Sequence, residues 1–412
     1  MLISHGGLEM EFDFDTYLDR HGMDALAVDP PESSPYRKGI SLKHGIEKHI
    51  PMWIADMNFQ TCPTITESIR ARLEHPLFGY FEPSREYYDS IAYWHRTHNG
   101  MAEITEKNIG YENGVLGGVS SALSVLAGEN RNVLVHSPTY IGFTHVLENN
   151  SYNVFHSPLV KDDSGVWRMD YADMEEKIRG NDIRVAIFCS PHNPSGRVWE
   201  RGEIEQAMAV FERNNVSVIS DEIWSDIILF DNRHIPTQSV SEYAKNSTIA
   251  LYAPSKTFNL AGLIGSYHII YNPELKAKMD KQASYSHYNS MNVLSMHALI
   301  GAYSETGTKW VKELNSTLSK NVDYAYDIFT TKINGVSVFK PQGTYMLYLD
   351  FSEWLKEHSL TISELLKMGY EIGVDWQNGE AFLNRNTIRM NLALPFGVLQ
   401  EALDRLIKFI FC

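Results

Sequence analysis

Three short apolar runs, each leading to a different polar side chain, constrain this sequence more than any other feature. Val185-Ala186-Ile187-Phe188-Cys189 leads to Asn193 in a Pro-His-Asn-Pro-Ser-Gly run, and Val216-Ser217-Val218-Ile219-Ser220 ends on Asp221. Thr248-Ile249-Ala250-Leu251-Tyr252 leads to Lys256, in Ser255-Lys256-Thr257-Phe258-Asn259. Runs of this length and apolar content read as buried strands. Open α/β sheets bind ligands outside the carboxyl ends of their strands, so the three runs would present an amide, a carboxylate and an amine at one edge. Singly, each has an ordinary explanation, because Asn-Pro forms turns, Asp after a strand often caps a helix, and most lysines are solvated. Their joint order points to chemistry.

That set is what pyridoxal phosphate requires. The cofactor acts as an electron sink, its aldehyde held on a lysine amine while an acidic group keeps the ring nitrogen protonated. On this reading Lys256 carries the cofactor and serves as general base, Asp221 faces the ring nitrogen and Asn193 the ring oxygen. Gly114-Val115-Leu116-Gly117-Gly118-Val119 adds a glycine turn before an apolar helix over 119–127, a place where amides and the helix dipole can hold a phosphate.

These segments resemble the fold-type I pyridoxal phosphate enzymes, the class that contains the class I and II aminotransferases. Within it the sequence is most similar to the MalY/PatB family of carbon-sulfur β-lyases, also called cystathionine β-lyases. The resemblance runs from Phe12-Asp13-Phe14-Asp15 to the last helix and includes Pro51-Met52-Trp53-Ile54-Ala55-Asp56-Met57-Asn58-Phe59, with Asn58 where the family usually has Asp. It implies that Gly117 and Gly118 form the phosphate turn, that Ser255 adds a hydroxyl, and that Tyr140 stacks on the ring. Ala253 stands where many relatives carry a phosphate-binding serine. It implies that Arg389, in Ile388-Arg389-Met390-Asn391-Leu392, grips the substrate's α-carboxylate beside Asn193. Tyr80, in Phe78-Gly79-Tyr80, matches a tyrosine that reaches the neighbouring subunit's phosphate, so a homodimer is implied. One departure lies close to the ring: Trp224 stands where relatives carry His, and an indole cannot accept a proton.

The expected fold is α/β: a large domain over 58–303 with a mainly parallel sheet, and a smaller α+β domain from 1–57 and 304–412. Ile65, Ile69 and Leu73 share a helical face; 336–339 and 345–349 read as paired strands around Pro341-Gln342-Gly343, and 398–409 as a closing helix. The 36 Lys and Arg against 51 Asp and Glu, a net charge of -15, argue against nucleic acid or an anionic membrane as partner. Cys62, Cys189 and Cys412 show no ligand-like pairing, which with the absence of a signal peptide or long apolar stretch predicts a reduced cytoplasmic protein without disulfide or metal. His95 and His98, at i,i+3 spacing without a third ligand, read as a solvated helix face.

The expected reaction is β-elimination from L-cystathionine or a related cysteine conjugate, giving a thiol, pyruvate and ammonia. Amino transfer shares the first steps and is the alternative. Some members of the resembled family also bind a transcription regulator, but no interaction motif here carries that role over.

Overall fold

A seven-stranded sheet forms the centre of the larger part of the computed structural model, which describes residues 11–30, 39–286 and 289–411. Its strands are β1 (Ile109–Glu112), β2 (Asn132–Ser137), β3 (Asn153–Pro158), β4 (Val185–Cys189), β5 (Ser217–Asp221), β6 (Thr248–Tyr252) and β7 (Ser266–Ile269). The order across the sheet is β1-β7-β6-β5-β4-β2-β3. Strands β2 to β6 run parallel, and β7 is antiparallel to both β6 and β1. Every residue of β4 and β6 is buried, because packed side chains cover both faces of the sheet: Val119, Leu123 and Phe143 on one, Met174, Met208 and Phe211 on the other. Two-sided burial explains why these strands appear in the sequence as continuous apolar runs instead of alternating ones.

The helix expected over 119–127 spans Val115–Leu126. It begins earlier because Gly114, at φ 81°, turns the chain out of β1 and serves as its N-cap. On the helix Pro63–Leu73 the anticipated face tapers: Ile65 is buried, Ile69 half-buried and Leu73 exposed.

Beyond residue 304 the architecture changes to a long helix, Glu305–Thr331, started by the Ser304 hydroxyl accepting the Gly307 N–H at 3.0 Å. It leads into an antiparallel sheet of β8 (Ser337–Val338), β9 (Met346–Asp350), β10 (Gln377–Asn378) and β11 (Thr387–Asn391), in the order β8-β9-β11-β10. The strand expected over 336–339 contracts to the two residues of β8. A last helix, Phe396–Phe409, closes the chain.

The N-terminal segment is tied to this second part. Ile50–Pro51 pairs in parallel with Val374–Asp375, and the Asn58 N–H donates to Ala393 O at 3.0 Å. The Pro341-Gln342-Gly343 turn then joins the two parts beside Asn193, since the Gln342 and Gly343 amides both donate to Gly196 O, at 2.8 and 3.0 Å. Gly196 lies at φ 71°, and a Cβ there would stand 2.5 Å from Pro341 Cβ, so this approach needs glycine.

Cys62 and Cys189 are free and buried; Cys412 lies outside the described residues. No helix among the described residues is long and apolar enough to cross a membrane.

Candidate active site

The carboxyl ends of β4, β5 and β6 open into a cavity of about 890 Å³, lined by Asn193, Asp221, Ser255, Lys256, Tyr140, Gly117, Trp224 and Arg389 among others. Parallel pairing sets this up, because Cys189 lies opposite Asp221 and Asp221 opposite Leu251 in register. The turns that follow the three strands therefore emerge side by side.

Asp221 is the last residue of β5, 4% exposed, with one carboxylate oxygen accepting the Ile223 N–H at 3.1 Å. Burial pushes its carboxyl up from 3.8 to about 7. Lys256 sits in the single helical turn Pro254–Thr257, and its Nζ donates to Ala55 O at 3.2 Å. Burial, followed by the positive charge of Arg389, brings its amine down from 10.5 to about 8. The cavity thus holds an acid and a base whose environments draw them toward neutrality, the arrangement expected of groups that exchange protons.

Arg389 comes from the other sheet. On β11 it faces Gln377 of β10 in register, donates to Gln377 Oε1 at 2.5 Å and to Trp53 O at 3.4 Å, and lies over the Phe382 ring at 4.5 Å. Its Nη1 donates to Asn193 Oδ1 at 2.9 Å. That bond orients the Asn193 amide and couples the two residues that the sequence placed 196 positions apart.

At the start of the helix Val115–Leu126, the amides of Val115, Leu116 and Gly117 precede the first intrahelical bond, and these three residues line the cavity. Gly118 differs from the expectation: its N–H donates to Gly114 O at 2.9 Å, so it is already inside the helix ladder. Its lack of a side chain serves packing, since a Cβ would meet Leu251 Cδ2 at 2.8 Å. Tyr140 N-caps the helix Ile141–Asn149 and turns its ring back over Gly142, where a Cβ would stand 2.4 Å from Tyr140 Cε1.

Trp224 is 2% exposed and packs edge-on against Tyr345 with centroids 4.8 Å apart. Lys256 Nζ lies 5.9 Å from the indole centroid. The position that departs from the resembled pattern therefore forms the wall beside the lysine. Asn58, the other departure, is 3% exposed, and neither polar atom of its side chain has a hydrogen-bond partner among the described residues. An aspartate there would place a charge where nothing pairs with it.

Tyr80 is fully exposed and lies outside its own chain's cavity. His95 corrects the reading of a solvated face: it is 1% exposed, bonded to Tyr267 Oη at 2.8 Å and to Asn99, and burial lowers it to about 3. His98 is half-buried and stacks on Trp94 at 3.8 Å. No metal-ligating cluster occurs among the described residues.

Three participants escaped the sequence reading. Asp56 accepts from Asn259 Nδ2 and from Arg20 Nη1, both at 2.9 Å. The signal was available for Asp56, within the Trp53-Ile54-Ala55-Asp56 segment, whereas Arg20 and Gln377 stand in stretches with no pattern of their own.

The model of the class I and II aminotransferases matches residues 50–406. The chain belongs to that family. Among curated members of this family of enzymes, it is 32% identical to the cystathionine beta-lyase PatB of Bacillus subtilis over 88% of this chain and 92% of that protein. It is 29% identical to the protein MalY of Escherichia coli over 97% of this chain and 99% of MalY. Its fold matches crystalline cystalysin of Treponema denticola, which contains a pyridoxal 5'-phosphate cofactor, with a TM-score of 0.89 at 27% identity, covering 97% of this chain and 99% of that one. The fold is thus the fold-type I α/β architecture of the aminotransferase family.

Proposed function

We propose that the protein is a pyridoxal phosphate-dependent carbon-sulfur β-lyase that cleaves L-cystathionine or related L-cysteine conjugates to a thiol, pyruvate and ammonia. The observation that carries this reading is the convergence of the Lys256 amine, the Asp221 carboxyl and the Asn193 amide on one cavity, with Arg389 bonded to Asn193. The name of PatB supports the lyase reaction, and cystalysin supports the cofactor.

The residues fit the cofactor. A buried carboxyl held at about 7 gains from a cation beside it, which a protonated ring nitrogen provides. The amides of Leu116 and Gly117 are donors without intrahelical acceptors, suited to a phosphate, with Ser255 alongside. The Tyr140 ring would cover one face of the pyridine, and Lys256 would hold the aldehyde. When bound, the group supplies a sink for the electron pair left on Cα after proton loss.

The protein's own groups do the rest. The Arg389 guanidinium, oriented by Gln377, Asn193 and the Phe382 ring, binds the α-carboxylate and fixes which Cα bond faces Lys256. With its amine at about 8, Lys256 has a substantial neutral fraction near pH 7 to 8 and takes the α-proton. The Cβ–sulfur bond then breaks with its electron pair on sulfur, the thiolate leaves and takes a proton from water, and hydrolysis of the three-carbon remainder gives pyruvate and ammonia. Trp224 presents an indole where an imidazole would stand, so no proton reaches the leaving sulfur from that side chain.

We further infer a homodimer in which Tyr80 of each subunit completes the other's site. Its complete exposure, beside exposed Leu77 and Phe78, is what a residue awaiting a second chain would show.

The test is pyruvate formation from L-cystathionine by purified, cofactor-loaded protein without added keto acid. Sustained turnover that Lys256→Ala abolishes is the expected result. Amino transfer that requires a keto acid, with no pyruvate released, would replace this reading with the aminotransferase one.

A further inference from the structure

Arg389 accounts for one end of a substrate, and the same cavity is lined by a second guanidinium. Arg20 lies on it with Nη1 donating to Asp56 Oδ1 at 2.9 Å. Its Nε and Nη2 are shielded from water and have no acceptor among the described residues. Three of the five N–H donors of a guanidinium are thus unsatisfied, an unfavourable state for donors shielded from water. Asp56 does not relieve it, because the oxygen that takes Arg20 is also bonded to Asn259.

The surroundings have a specific composition. Asp24 and Asp56 line this part of the cavity as well, together with Met23 and Leu26, whose apolar side chains are 72% and 46% exposed. One cation with spare donors, two carboxylates and an apolar wall complement a chain that ends in both a carboxylate and an ammonium. The placement agrees. Arg389 reaches the carbonyl of Trp53 and Arg20 the side chain of Asp56, three residues further on, and both guanidiniums line the one cavity of about 890 Å³. One small molecule can therefore address both guanidiniums.

We propose that Arg20 recognises the distal carboxylate of a substrate bearing an α-amino acid at each end, with Asp24 and Asp56 facing its distal ammonium. This rests on the lyase reading of the cavity and narrows its substrate class to thioethers that join two amino acids, in preference to cysteine or S-alkyl cysteines.

The test separates recognition from elimination. L,L-2,7-diaminosuberate has an amino-acid group at both ends, four linking atoms as in cystathionine, and no β-leaving group; L-norleucine keeps one end and the same run of carbons. Dissociation constants for both are measured on the cofactor-loaded protein by titration calorimetry. The expected result is a preference of about ten-fold or more for diaminosuberate, largely lost in Arg20→Gln, partly kept in Arg20→Lys and reduced in Asp24→Asn. A wild type without preference, or an Arg20→Gln protein in which both ligands weaken equally, overturns the proposal and leaves Arg20 as a strut for Asp56. If Arg20→Gln does not fold, as its melting curve would reveal, the ratio in Arg20→Lys and Asp24→Asn decides on the same terms. A protein that makes no pyruvate from cystathionine yet keeps the Arg20-dependent preference would lose the lyase reading and keep this one.

Discussion

The Asp221 carboxyl, 4% exposed at the end of β5, is held at about 7 by burial, against 3.8 in an unfolded chain. Between those two values the folded chain without cofactor retains a proton that the unfolded chain has released, so its stability falls as pH rises through that interval. At about 1.4 kcal/mol per pH unit the penalty above pH 7 is on the order of 4 kcal/mol. Replacing the carboxylate by an amide removes it. Asp221→Asn is expected to melt higher than the wild type at pH 8 when both lack cofactor, and the difference should vanish near pH 4, by calorimetry. With cofactor the order reverses, because the amide cannot keep a ring nitrogen protonated. A mutant that melts lower in both states would show that Asp221 stabilises the fold and not the ligand. Lys256 sits under the same constraint with opposite sign: burial and Arg389 favour its neutral amine.

At the scale of single elements, the helix Ile141–Asn149 positions Tyr140 through what its second residue lacks. A Cβ on Gly142 would stand 2.4 Å from Tyr140 Cε1 and 2.9 Å from Leu116 Cδ1, so alanine there must displace the ring or the start of the neighbouring helix. Overpacking of this kind costs about 1–3 kcal/mol. Gly142→Ala should weaken cofactor binding by about ten-fold or more, measured by dialysis and the visible absorbance retained, with a modest loss in melting temperature. Retention equal to wild type would mean that the ring does not need to lie back over this glycine. Gly118, one turn into Val115–Leu126, shows the same logic without touching the cavity: its side chain is absent so that the helix can approach Leu251.

For the whole molecule, the site draws on distant parts of the chain: the N-terminal segment through Arg20 and Asp56, three strand ends of the large sheet, and β11 through Arg389. If Tyr80 enters a partner's site, two inactive variants should complement. Mixing Tyr80→Ala with Lys256→Ala chains gives mixed dimers with one intact site, and about a quarter of wild-type pyruvate formation is expected after subunit exchange; no recovery with mixed dimers confirmed by mass would overturn the placement of Tyr80 in the partner's site. The strands β4, β5 and β6, and with them the positions of Asn193, Asp221 and Lys256, were legible in the sequence, because burial on both sheet faces demands unbroken apolar runs and parallel register aligns whatever follows them. Arg389 was legible through the pattern of its resemblance. The helical start at Val115, the burial of His95, the commitment of the Gly118 amide to its helix and the presence of Arg20 in the cavity were not, since each depends on which distant segment packs alongside. Local sequence determined which groups the chain carries to its strand ends; only the tertiary structure decided which of them share a cavity, because contacts across hundreds of residues leave no periodic trace in the sequence between them.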